Sequence, residues 1–209
     1  MPTSGAPEGR IPQQARSRQK VAAILENAIR LFQDSGMDTV SMREIARASG
    51  MPIATLYQYF PSKQAIVRRI WEDHTEEIGR LLEAELTPLI TDSSPEAIWR
   101  VIERIVDSYA EVQARNPAFL EIRRCVEATP DLRQLNIDNT LHVAKMIQQS
   151  VLRINPQVDP VLALNYSIIG IEATSATAKL GQELPDDQRE QLLTSMKGFI
   201  RQLLREVGI

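Results

Sequence analysis

Thr55, Tyr57, Gln58 and Tyr59, with Arg43 and Lys63 on either side, are residues of one chemical competence set close together. Hydroxyls and cations donate hydrogen bonds to phosphate oxygens, and a glutamine amide can pair with the edge of an adenine. A helical hairpin buried in a bundle would not normally turn two tyrosines outward. The segment therefore reads as a surface for nucleic acid.

The elements that must hold these side chains are legible in the run from Val40 to Phe60. Ser41 followed three residues later by Glu44 is a capping box, which starts a helix at Met42. Gly50 ends that helix, Pro52 forbids simple continuation, and a second short helix begins near Ile53. Ala46 lies four residues before Gly50 and Leu56 six after it, the spacing of two helices crossing steeply through a tight turn. Ala46 marks the closest approach, Gly50 the turn position that needs positive φ, and Ile45, Met51 and Leu56 the wedge of core between them. Helix pairs of this kind lay the second helix in the major groove.

The bulk of the chain sets the frame for this motif. Its 209 residues are 43% hydrophobic, 24% charged and 5% aromatic, ordinary globular values for one large domain or a small domain fused to a larger one. The single cysteine, Cys125, excludes an internal disulfide and fits a reducing cytoplasm. No apolar run reaches the length of a membrane span, and the segment Met1–Gln14 lacks the apolar core of a signal peptide. The expectation is a cytoplasmic protein. A net charge of −3 argues against nucleic acid until it is divided. Residues 1–70 carry 10 Lys/Arg against 5 Asp/Glu, and residues 71–209 carry 14 against 22. A basic head on an acidic body suits a DNA-binding module joined to a regulatory one.

Apolar residues recur three and four apart from Arg16 onward and no stretch alternates, so the fold class is all-α with about nine helices. The spacing predicts helices near Arg16–Ser35, Met42–Ser49, Ile53–Phe60, Ser62–Leu86, Pro95–Arg115, Pro117–Glu127, Pro130–Arg153, Pro160–Leu180 and Pro185–Val207. Four starts place a capping residue before proline: Ser94-Pro95, Asn116-Pro117, Thr129-Pro130 and Asp159-Pro160. The expected domains are a disordered arm over 1–15, a helix-turn-helix domain over 16–62 with the motif at about 40–59, and a regulatory and dimerisation body over 63–209.

The stretch from Arg16 to Trp71 resembles the N-terminal domain of the tetracycline-repressor (TetR) family. The residues that carry the likeness are Leu31-Phe32, Gly36, the run Thr39 to Ala46, Gly50, and above all Thr55-Leu56-Tyr57-Gln58-Tyr59-Phe60-Pro61-Ser62-Lys63. The resemblance implies that Ser41 and Arg43 meet the DNA backbone, and that Thr55, Tyr57 and Tyr59 contact phosphates or base methyls. It further implies that Lys63 binds phosphate at the start of the fourth helix. Gln58 and the run Ile53, Ala54 and Thr55 are the candidates for base readout. Arg10, Arg16 and Arg18 would either reach the minor groove or belong to a floppy tail.

The same resemblance implies a homodimer on a pseudo-palindromic double-stranded operator. Its interface would use Leu164, Ile168 and Ile171 of the eighth helix and Leu192, Met196, Phe199 and Leu203 of the ninth, with small Gly170, Ala173 and Ala176 allowing close approach. The body would enclose an effector pocket, with Trp99, Tyr109, Phe119, Arg123, Cys125, His142, Met146, Asn165, Tyr166 and Ile169 as its lining. Few charges fall on the apolar stripes, so the effector is expected to be small and largely apolar or amphipathic. Ligand binding would shift the dimer toward a conformation with mis-spaced reading helices, with the fourth helix as the lever.

Two rival classes compete with this reading. Catalysis finds no support: in the acidic stretch around Trp71, His74 shares a helix face cleanly with Glu77 alone, too few ligands for a metal site, and no nucleophile elbow or phosphate loop occurs. No cofactor and no metal are expected. A DNA-binding structural or nucleoid-associated factor without a ligand shares every feature of the head and remains the alternative.

Overall fold

The computed structural model describes residues 13–115 and 119–209, apart from the side chains of Gln13 and Phe119. Within them the chain forms nine α-helices and no strand: α1 Gln13–Ser35, α2 Met42–Ala48, α3 Ile53–Tyr59, α4 Lys63–Leu86, α5 Pro95–Ala114, α6 Phe119–Ala128, α7 Pro130–Ile154, α8 Pro160–Gly181 and α9 Asp186–Glu206. The all-α expectation holds. A 3₁₀ turn over Thr87–Ile90 lies in a stretch read as loop. Pro88 has no amide hydrogen to lose there, and the Thr87 hydroxyl donates to the Glu83 carbonyl at 2.7 Å.

Two other expectations need correction. Residues 13–15 are the first of α1 rather than part of an arm. Their polar side chains disguise good helix formers. Arg16 and Arg18 accordingly belong to a helix, and Arg10 lies outside the described residues. Of the four proposed caps, Ser94 accepts from the Ala97 amide at 3.3 Å and Asp159 from the Val161 amide at 2.7 Å. Thr129 makes no capping bond; its hydroxyl instead lies 3.8 Å from the Cys125 sulfur. The Asn116-Pro117 start lies outside the described residues.

The chain divides into two units, residues 1–69 and 70–209, with the division inside α4. In the first, Ile24, Ala28 and Phe32 of α1 are fully buried, as are Ile45, Leu56, Ile66 and Val67. The three from α1 are the i, i+4, i+8 positions of an amphipathic helix closing over two short ones. The second unit is a bundle in which α7 packs on α8, α8 on α9, and α5 on both α8 and α9. Val151, Ala163 and Val207 form one buried cluster, and Leu89, Ala97, Ile98, Val101 and Ile102 another. Polar ties brace the helices: Lys197 to Asp107 at 2.7 Å, Arg104 to Glu85 at 2.5 Å, and Asn139 to Thr75 at 3.3 Å. Asn155 pins the C-terminus by donating to the Val207 carbonyl at 2.8 Å.

His74 of α4 lies beside Trp71, with ring centroids 5.8 Å apart. Burial pushes its pKa from 6.5 down to about 4, and the positive charge of Arg123 adds to the effect. The folded state therefore keeps His74 neutral while the unfolded chain protonates it once pH falls below 6.5. Stability is lost from there until pH reaches about 4. Urea denaturation is expected to show a loss of up to about 2 kcal/mol between about pH 7 and pH 5, and His74→Gln should remove most of that slope.

Candidate functional site

The first unit offers its side chains through a turn that holds α3 against α2. Ser41 caps α2: its hydroxyl accepts from the Glu44 amide at 3.3 Å, and its own amide and hydroxyl donate to Glu44 Oε2 at 2.7 and 2.8 Å. Those bonds hold the Glu44 carboxyl below the usual carboxylate range. At the far end, the Gly50 amide donates to the Arg47 carbonyl and the Met51 amide reaches back to that of Ala46, each at 3.1 Å. Gly50 has φ +63°, and a Cβ there would meet nothing within 4 Å. The glycine is required by backbone conformation and not by crowding. Ile45 and Leu56 are fully buried in the wedge and Ala46 nearly so.

With Leu56 turned inward, the opposite face of α3 is presented to solvent. Ile53, Ala54, Tyr57 and Gln58 are exposed, and Tyr57 keeps 49% of its surface. Thr55 and Tyr59, expected to face outward, are only partly exposed, because their positions flank Leu56 on the helix wheel. On α2, Arg47 and Arg43, four residues earlier, are both exposed. Arg47 is absent from the sequence-based candidates, although the i, i+4 spacing puts both guanidinium groups on one face.

Two residues expected to touch phosphate are otherwise engaged. The Lys63 ammonium donates to the carbonyls of Met37 at 2.6 Å, Val40 at 2.9 Å and Asp38 at 3.4 Å. An ammonium has three donors, and these three acceptors occupy them all. Lys63 thus ties the start of α4 to the loop between α1 and α2, where Gly36 at φ +76° closes α1. The hydroxyl proton of Ser41 likewise goes to Glu44. In this structure both groups are held by bonds within the first unit.

The second unit holds a cavity of about 170 Å³ that is partly open to its surroundings. Its walls are Ile78, Leu81, Leu82 and Leu86 of α4 with Leu89; Ile98, Val101, Ile102, Ile105 and Tyr109 of α5; and Val143, Ile147, Ser150, Val151 and Ile154 of α7. The remainder are Ala163, Tyr166, Ser167, Gly170, Ile171 and Thr174 of α8, Ile200, Leu203 and Leu204 of α9, then Val207 and Ile209. Of the ten expected lining residues it takes Tyr109 and Tyr166 only. Trp99 packs on the Leu89 cluster under the Arg201 guanidinium, 4.7 Å from the ring centroid. Arg123 and Cys125 sit half-buried on α6, His142 and Ile169 are exposed, Met146 and Asn165 lie off the lining faces of α7 and α8, and the Phe119 side chain is outside the described residues. The expectation favours large or polar side chains, whereas aliphatic ones one step round each helix form the wall.

Arg123 still reaches the rim indirectly. Its Nη1 donates to Ser175 Oγ at 2.7 Å and its Nε pairs with Glu127 at 3.2 Å, while the Tyr109 hydroxyl donates to the same Ser175 oxygen at 3.1 Å. Ile171 and Leu203, expected at a dimer interface, also line the cavity; Leu164, Ile168, Leu192 and Met196 are half-buried and Phe199 is exposed. Among the described residues, no three His, Cys, Asp or Glu side chains converge on a metal site, and no helix is long and apolar enough to cross a membrane.

The Lys63 geometry separates two roles. Hydrogen bonds to a charged group contribute about 1.5–3 kcal/mol, so Lys63→Met should lower the unfolding free energy by that order and speed amide exchange over residues 36–45. The salt dependence of DNA affinity should stay as it is. Unchanged stability with a salt slope reduced by about one would restore the phosphate role.

Comparison with known proteins agrees with this arrangement. The profile described as "Bacterial regulatory proteins, tetR family" matches residues 24–70, and that described as "Tetracyclin repressor-like, C-terminal domain" matches residues 96–207. The chain is 38% identical over 58 residues to the HTH-type transcriptional regulator AcrR of Shigella flexneri, which is 28% of this chain and 27% of that protein. It is 26% identical over 143 residues to the HTH-type transcriptional repressor ComR of Escherichia coli K12, 66% of either chain. The matched stretches thus span less than two thirds of these relatives' lengths. A transcriptional regulator from Pseudomonas aeruginosa PAO1 has the same fold, with a TM-score of 0.74, 14% identity, and coverage of 93% of this chain and 97% of that one. With the second profile alone spanning more than half of its 209 residues, the chain belongs to the TetR family of bacterial regulatory proteins.

Proposed function

We propose that this protein is a sequence-specific transcription repressor, bound as a homodimer to a pseudo-palindromic operator and released by a small, largely apolar molecule. The observation that carries the reading is the face of α3. Ile53, Ala54, Tyr57 and Gln58 stand exposed on a helix whose register is set by fully buried Leu56. Gln58 and the Ile53–Ala54 edge would read bases, while Tyr57 would meet phosphate or a thymine methyl. Thr55 and Tyr59 would support it from the flanks, and Arg43 with Arg47 would supply backbone charge from α2. Likeness to ComR, a repressor by name, favours repression.

The dimer reading draws on apolar surface left uncovered in one chain. Val161, Ile169 and Leu180 of α8 are 65%, 44% and 52% exposed, and Phe199 of α9 is 41% exposed. A second copy related by a two-fold axis would cover this strip and set half-sites about 10 bp apart or a multiple of that. The interface would then use Leu164, Ile168, Leu192 and Met196 at its margin, while Ile171 and Leu203 stay turned toward the cavity. The alternative, a nucleoid factor without ligand, is disfavoured by the cavity itself, since a body serving only structure would pack its core. By its place in a family of regulators, the protein acts in the cytoplasm, on the nucleoid when bound.

Genome-wide binding at fixed, near-physiological salt tests the whole reading. A few sharp palindromic sites are expected. Tyr57→Ala with Gln58→Ala should weaken them by about ten-fold or more while barely changing non-specific affinity. Arg47→Ala should weaken all sequences alike and reduce the salt slope by about one. Diffuse binding that survives the α3 substitutions would favour the nucleoid-factor reading.

A further inference from the structure

The cavity's chemistry narrows what can enter it. None of its lining residues is Asp, Glu, Lys, Arg or His. Its hydroxyls are mostly committed elsewhere. Ser150 donates to the Met146 carbonyl at 3.4 Å, Ser167 to the Ala163 carbonyl at 2.8 Å, and Tyr109 to Ser175 Oγ at 3.1 Å. Tyr166 and Thr174 bring the remaining side-chain hydroxyls to the wall. An ionised group placed there would be stripped of water with no opposite charge beside it, a heavily unfavourable transfer. Neutral groups with one or two hydrogen bonds could still be met.

Size narrows it further. A volume of about 170 Å³ is close to the roughly 150 Å³ of an apolar cavity that takes up benzene. The space suits a molecule of roughly six to ten heavy atoms. Aliphatic walls on five helices leave no channel of polar groups along which a long polar ligand could extend.

We propose that this cavity is a receptor for an uncharged, apolar molecule of about one-ring size, carrying no ionised group and at most one or two neutral hydrogen-bonding groups. The proposal rests on the reading of the second unit as an effector-binding body. It adds that charge, more than shape, is the criterion of rejection. A neutral phenol or alkylbenzene enters; its carboxylate or ammonium counterpart does not.

The test uses the full chain and defined probes: ethylbenzene and 4-ethylphenol as neutral one-ring molecules, benzoate and phenethylammonium as charged counterparts, and pyrene as an oversized neutral one. Binding is measured by equilibrium dialysis, and operator release is measured in parallel. The neutral one-ring probes should bind saturably and at least about ten-fold more tightly than either charged probe. Gly170→Leu should abolish that binding, because a Cβ at Gly170 would sit 4.0 Å from Leu203 Cδ1 and a longer side chain must occupy the cavity. Leu203→Phe fills the same space from the opposite wall and serves if the first variant misfolds, with helical circular dichroism as the check. Equal or tighter binding of benzoate or phenethylammonium overturns the proposal. So does binding of pyrene alone, binding that both filled variants retain, or no binding of any probe. Saturable neutral binding that leaves the operator complex intact upholds the proposal and removes the effector reading. Release of the operator by a charged compound, with no neutral probe bound, does the reverse.

Discussion

A helix of seven residues cannot hold itself, and the first unit is organised around that constraint. Nucleation of an isolated helix is costly, and two turns bury too little to offset it. α3 buries one residue completely, Leu56, and everything else about its placement is borrowed. Gly50 turns the chain without strain, Ser41 and Glu44 fix the start of α2, and Ile45 with Ala46 gives Leu56 its seat. Lys63 then binds the loop ahead of α2 to the first turn of α4. The exposed face of α3 is thereby held rigid although almost none of its own side chains contribute to holding it. This is what accurate groove recognition needs, since base contacts discriminate only when the helix is positioned in advance.

The second unit solves a different problem. It keeps a space open inside a bundle while its wall stays poor in free polar groups. Ser150 and Ser167 help by returning their hydroxyls to carbonyls one turn earlier in their own helices, which leaves a wall that behaves largely as hydrocarbon. Charged groups of this unit go instead to braces between helices, such as Lys197 with Asp107 and Arg104 with Glu85. Arg123 is the instructive case. Its side chain is mostly buried, yet its charge is matched by Glu127 and Ser175, and it also helps to keep His74 neutral.

Much of this is legible in the order of the residues alone. The capping box, the glycine turn and the break at Pro52 determine the two short helices, because each is a local backbone demand met by one residue type. Helical periodicity determines the all-α class and most helix bounds for the same reason. The outward placement of Tyr57 and Gln58 follows from burying Leu56. Where expectation and structure differ locally, a second local rule competes with the first: the helix-forming residues at 13–15, and the turn of 3₁₀ helix that Pro88 permits.

Only the tertiary structure decided where long side chains end and which helix faces meet. Lys63 reaches back more than twenty residues to carbonyl oxygens, an outcome of loop geometry that no spacing in the sequence encodes. α8 is apolar or small on nearly every face, so its pattern could not say that Ile171 lines a cavity while Ile169 meets solvent. The same holds for Leu203 and Phe199 on α9. Periodicity marks that a helix has an apolar stripe; the partner it packs against, and so the inside and outside of a site, is set by contacts between residues far apart in the chain.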